Sequence, residues 1–204
     1  MTKMMTFTMV AVAWFGGQAL AADRVEVYYR FGPRASLDGT VLSTARDEAS
    51  HLLAEAGVAL DWRRGAPDEG GVDPETVVIT FVAAAPMNFR HGVNANALAA
   101  ARPYGPSSEI SVFTDRVTLY YQPYPEIGRG RVLGHVLAHE IVHVLEGVAR
   151  HSDTGLMVGN WSWRELRDVT TRGLHLAEED RRLVSFGIEA RRRRATLTAA
   201  ASAR

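Results

Sequence analysis

The 204-residue sequence predicts an α+β domain in which helices pack on one sheet, and three observations predict it. Strand-like runs rich in Val, Ile, Tyr and Phe recur through the first half, at 24–31 (RVEVYYRF), 76–84 (TVVITFVAA) and 109–114 (EISVFT). An apolar pattern of helical period falls between the first two of these runs. Longer helix-competent stretches then dominate the second half, around 127–147 and 176–194. Strands in one region and helices largely in another make the α+β pattern rather than a strict alternation.

In order, Met1 to Ala21 reads as an export signal. Lys3 supplies the positive n-region, Met9 to Gly17 a short apolar core, and Ala19-Leu20-Ala21 the small-residue cleavage site. That core is too short to anchor in a bilayer. From Ala22 onward the chain has the size of one domain. Arg24 to Phe31 alternates as a strand. Over Gly39 to Ala56, Val41, Leu42, Ala45, Ala49, Leu52, Leu53 and Ala56 recur at helical spacing, and Gly57 ends the run. Val58 to Trp62 reads as a second short strand and Arg64 to Pro74 as a Gly/Pro/Asp-rich loop. Thr76 to Ala84 is nearly continuously apolar, which suits a central strand covered on both faces. Ala97 to Ala101 is ambiguous between a helical turn and an extended edge, with propensity mildly favouring helix. Glu109 to Thr114 is strand-like. Tyr120, Tyr121, Tyr124 and two prolines read as an aromatic loop, and a long helix is expected to start near Ile127 to Arg131. Ser162-Trp163-Arg164-Glu165 is a capping box that opens a short helix. Leu176 to Arg194 reads as a longer helix, and 195–204 as a frayed tail.

Composition narrows the possible functions. Cysteine is absent, which rules out disulfides and a thiolate metal site. Arginine plus lysine and aspartate plus glutamate both number 23, so net charge makes no case for a nucleic-acid partner. Lys3 is the only lysine, so beyond the signal the positive charge is arginine.

The chemistry concentrates in 134–157. His139-Glu140-Ile141-Val142-His143 is His-Glu-x-x-His inside an apolar helix-competent run. Residues four apart share a helix face, so two imidazoles can reach one metal ion, with Glu140 beside them as a base for metal-activated water. Val136, Leu137, Ile141, Val142, Val144 and Leu145 would pack that helix into a core. Gly147 suits a helix stop. His151 follows the turn, where a third ligand from outside the helix would leave a fourth position open.

These residues, together with Ser152 and Gly155-Leu156-Met157, resemble a zincin metallopeptidase, and within that group a metzincin of the matrixin sort. The resemblance is specific over about twenty residues. It implies a twisted mixed sheet with an N-terminal helix and an active-site helix, then a small helical C-terminal subdomain. A single domain at 22–194 would divide into an upper part, 22–147, and a lower part, 148–194. It implies Zn²⁺ on His139, His143 and His151, Glu140 as general base, and Met157 in a turn flooring the site. Residues 97–114 resemble the edge strand, Gly/Pro loop and following strand upstream of the metal helix. Ala97, Leu98, Ala99 and Ala100 would then bind an extended peptide, against the helical propensity. The turn departs from the usual motif: Gly147 lies four residues and His151 eight residues after His143, two residues longer in all.

Several residues compete for these roles. Glu165 has the separation of a third ligand in the gluzincin branch, although its capping box explains it without a metal. Glu146 shares a helical face with His143 and reads as a supporting or surface group. Asp153 could orient a ligand histidine or be solvated. His135 reads as a flanking or supporting group, and His51, His91 and His175 as ordinary histidines. Trp161 and Trp163 read as core or a lid over the C-terminal helix, and Arg191 to Arg194 as a solvated helix end. The expected function is an exported, secreted or periplasmic zinc endopeptidase acting on peptide or protein, with no nucleic-acid partner, no stable membrane insertion and a monomeric state assumed. The alternative is a zincin-fold zinc-binding or partner-binding exported domain without proteolysis.

Overall fold

The computed structural model describes residues 22–67, 76–89, 96–102, 108–121 and 126–202. The export signal, His91, Tyr124 and most of the 64–74 loop lie outside these residues. Among the described residues the chain forms five strands and five α-helices. The strands are β1 (Asp23–Phe31), β2 (Val58–Arg64), β3 (Thr76–Val82), β4 (Ala99–Arg102) and β5 (Glu109–Phe113). The helices are α1 (Gly39–Ala54), α2 (Thr114–Tyr121), α3 (Glu126–Glu146), α4 (Trp163–Thr171) and α5 (Glu178–Ser202).

The strands form one sheet in the order β2-β1-β3-β5-β4, parallel throughout except for the antiparallel pairing of β4 with β5. The most apolar run, β3, takes the centre, where Val77, Ile79 and Phe81 are fully or almost fully buried. The cleanly alternating β1 buries Val25, Val27 and Tyr29 on one face only.

Asp38 starts α1 by accepting the Thr40 and Val41 N–H groups at 2.8 and 3.2 Å. The helix meets α3 at unusually close range, because Gly130 and Gly134 supply no side chain. A Cβ at Gly134 would lie 2.6 Å from Glu48 Cβ and 2.8 Å from the Ala45 carbonyl oxygen. On the other side α5 crosses α3 at Gly187, where a Cβ would lie 2.0 Å from the Leu145 carbonyl oxygen. Clamped this way, α3 is buried from Val132 to Leu145, and one continuous core reaches from Val25 to Ile188.

The structure corrects four expectations. Residues 99–102 are extended, so the edge wins over helical propensity, because Phe113 N–H bonds the Leu98 carbonyl at 2.9 Å and draws the segment into the sheet. Thr114 opens α2 instead of ending a strand, and Tyr120 and Tyr121 belong to that helix instead of a loop. Its β-branched and aromatic residues are weak helix formers. Tertiary contacts hold it: Val117 is buried, and Arg116 donates to the carbonyls of Ala97 (2.6 Å) and Phe89. Residues 195–202 are the continuation of α5 and not a frayed tail. Alanine there favours helix, and Thr196 and Thr198 bond the carbonyls one turn back. Arg191 to Arg194 is therefore not a helix end, and its solvation is partial: Arg192, Arg193 and Arg194 are exposed, but Arg191 is buried and donates to Ser108 Oγ at 2.8 Å, and Arg192 pairs with Asp23 at 2.7 Å.

Candidate metal centre

His139 and His143 stand one turn apart on α3, with Glu140 between them in sequence, and all three are buried. Gly147 ends the helix with φ +70°, its N–H closing on the carbonyls of His143 and Val144. The chain then brings exposed His151 back over the helix. Its ring centroid lies 5.4 Å from that of His139 and 5.0 Å from that of His143. One ligand atom from each of the three lies within 4.8 Å of the others, which makes them the one such group among the described residues.

The hydrogen bonds decide what those rings can do. His139 Nδ1 is 2.9 Å from the Leu156 carbonyl oxygen, and His143 Nδ1 is 3.3 Å from that of Val148. A carbonyl only accepts, so each Nδ1 must carry the hydrogen and donate it. Each neutral ring is then left with a bare lone pair on Nε2. The two Nε2 atoms face each other at 3.1 Å, with no hydrogen to lie between them. A tetrahedral cation with Zn–N bonds of 2.0–2.1 Å would set two ligand nitrogens about 3.3 Å apart. The donor set thus fits a metal ion, and an imidazole set suits zinc, copper, iron or nickel.

Electrostatics keep the rings in the ligand form. Burial, then the neighbouring His143, pushes the His139 pKa down to about 3. Burial, then His151, pushes His143 down to about 4. Glu140 is pushed the other way, up to about 7, because burial penalises its charge and the Ala101 N–H offsets this only in part. Glu140 is therefore tied to edge strand β4. Alternation along the β4–β5 ladder explains how. Leu98 bonds Phe113, so Ala100 and Arg102 also face β5, whereas Ala99 and Ala101 turn their N–H and C=O groups to the free edge. Glu140 occupies one of those outward groups.

Met157 is buried in the core and its carbonyl accepts the Ser152 N–H at 2.8 Å, closing the loop that carries His151. Ala97 and Leu98 precede the edge strand, and Ala99 and Ala100 form its first half. Glu165 stays out of the group: it is the N3 residue of the α4 capping box, where the Ser162 hydroxyl and then the Ser162 N–H, 2.7 Å away, hold its pKa low. Asp153 is exposed and orients neither α3 histidine, a role filled by backbone carbonyls.

His135 is a buried strut. Its Nδ1 donates to the Arg131 carbonyl and its Nε2 accepts the Leu174 N–H, both at 2.9 Å. Of the ordinary histidines, His51 is exposed at the end of α1 and His175 pairs with Glu55 at 2.8 Å. Trp161 lies edge-on to both His135 and His139 with centroids 6.3 Å away, whereas Trp163 is exposed.

Sequence reasoning missed four contributors. The carbonyls of Val148 and Leu156 have no residue signature. Gly159 lies against the His151 ring, so closely that a Cβ there would sit 2.8 Å from Nδ1. Buried Asp180 reads in sequence as one more acid in the first turn of α5, beside Glu178 and Glu179.

No protein-family model matches this chain, and no match was found among curated proteins.

Proposed function

We propose that the chain is an exported zinc-dependent endopeptidase of the zincin type, metzincin-like in its ligands. The observation that carries this reading is the pair of bare Nε2 atoms facing each other at 3.1 Å, with His151 beside them and Glu140 next in the helix. A purely structural metal site has no use for a buried carboxyl at that position. The antiparallel edge strand next to the metal helix also agrees with the metzincin resemblance. Met157, buried beneath the loop, would be the turn methionine.

His139, His143 and His151 would hold the ion. Zinc bound there would supply a Lewis acid that polarises the scissile carbonyl and acidifies a water molecule. An extended peptide would lie along β4, where Ala99 N–H and C=O and the Ala101 C=O face the open edge. Glu140, within reach of that edge through the Ala101 N–H, would take the proton from the attacking water. Burial raises its proton affinity toward neutrality, so the same carboxyl can hold the proton and deliver it to the leaving amine.

The test uses the purified protein, its zinc content and its cleavage of an unfolded protein. About one zinc per chain is expected, with cleavage abolished by chelator and restored by zinc. Glu140→Gln should keep the metal and lose at least ~10²-fold in turnover. Full zinc retention in His139→Ala or His143→Ala would remove the basis of the proposal. Zinc binding without cleavage by the wild-type chain would favour a non-proteolytic binding domain instead.

A further inference from the structure

We infer that Asp180 is a positioning residue for the third ligand, holding His151 over the site by gripping the residue on each side of it. The inference rests on the metal site proposed above. His151 is exposed, and among the described residues no hydrogen bond holds its ring. Its placement must come from its neighbours in the chain. Arg150 Nη2 donates to Asp180 Oδ1 at 2.5 Å, and the Ser152 hydroxyl donates to the same oxygen at 2.7 Å. Arg150 Nη1 closes the triangle on Ser152 Oγ at 3.1 Å. The carboxylate that receives them is completely buried, in the first turn of α5.

The geometry links the ligands across elements. Helix α3 carries His139 and His143, and α5 is seated on α3 by the close approach of Gly187 to Leu145. Asp180 therefore stands at a set distance from the first two ligands and transmits it to the third. Arg150 adds a second tie to α3, with its Nε 3.6 Å from the buried carboxylate of Glu146. A loop residue whose two neighbours are anchored has fewer backbone arrangements open to it. Releasing those anchors makes the metal order the loop when it binds, which weakens binding without removing any ligand.

The experiment compares full-length Asp180→Asn and Ser152→Ala with wild type. Zinc affinity is read by chelator competition, the cobalt-substituted site by its visible absorption, and the fold by the thermal midpoint of the metal-free form. Asp180→Asn should weaken zinc binding by about 10- to 100-fold and lower the cobalt absorptivity as the third imidazole is lost. Ser152→Ala, which removes one hydroxyl, should move both readouts the same way by a smaller factor, with a smaller drop in the midpoint than Asp180→Asn. Wild-type affinity and spectrum in both variants would overturn the role, even if Asp180→Asn lowers the midpoint. Should Asp180→Asn not fold, Ser152→Ala decides alone. A wild-type protein that takes up neither metal would sink the metal site and this inference together. Loss of metal in His139→Ala beside full retention in the two variants would overturn the positioning role only.

Discussion

At residue scale the site is set by which nitrogen of each ring is free. The carbonyls of Leu156 and Val148 claim Nδ1 of His139 and His143, and the two Nε2 lone pairs are left facing one point. The proton balance of metal uptake follows. At pH 6 the two rings, with pKa values near 3 and 4, are already neutral and have no proton to lose. Glu140, raised to about 7, is protonated at that pH, and an adjacent dication drives it to the charged form. Zinc uptake at pH 6 should therefore release about one more proton per chain in wild type than in Glu140→Gln. Calorimetry in buffers of different ionisation enthalpy checks this; release of the same amount by both proteins would return the proton to the histidines. Gly159 makes a second prediction at this scale. Its missing Cβ would sit 2.8 Å from His151 Nδ1, so Gly159→Ala should tilt the ring and weaken zinc by about 10-fold. Because residue 159 is exposed, the thermal midpoint of the metal-free form should hardly move.

At the scale of elements, strand β4 allows the proposed substrate binding to be tested apart from sheet integrity. Ala99 directs its N–H to the open edge, while Ala100 lies opposite Ser111 as a hydrogen-bonded pair. Proline is tolerated where the lost N–H faces outward and is costly where it belonged to the ladder. Ala99→Pro should thus keep its zinc and its melting temperature yet lose about 10-fold or more in peptide cleavage. Ala100→Pro should unsettle the edge itself, at a cost of about 1 kcal/mol or more. Equal turnover by Ala99→Pro and wild type would place the substrate elsewhere. Helix α4 allows a contrasting test. Glu165 serves its capping box and not the metal, so Glu165→Ala should cost about 1 kcal/mol or less with zinc fully retained.

At the scale of the whole molecule, the metal would join helix α3 to the loop after it, above a core held without any disulfide. A ligand that binds only the folded state stabilises it by about 4 kcal/mol at a free concentration a thousandfold above its Kd. Chelator should therefore lower the melting temperature of the zinc-loaded protein by several degrees. In His151→Ala the same chelator should make little difference, because affinity is already lost. A large chelator effect that survives in His151→Ala would remove this histidine from the ligand set. Among the described residues no helix is long and apolar enough to cross a membrane. The arginine run joins α5 to the body of the protein through Ser108 and Asp23.

What the sequence determined by itself was whatever repeats at the period of one element. The apolar spacing in 39–56, the nearly unbroken apolar run at 76–84, the capping box at Ser162 and the two histidines one helical turn apart all follow from local geometry. Local rules do not reach across the chain. Whether 99–102 became strand or helix was decided by β5, and α2 exists because its Arg116 clamps distant carbonyls. The third ligand could not be chosen between His151 and Glu165 from separation alone, since both lie within a workable distance along the chain. Which of the two stands beside the α3 histidines was decided by a loop closed through Met157 and tied to Asp180. Asp180 itself could not be told from its acidic neighbours, because what distinguishes it is burial, and burial belongs to the packing of α5 on α3.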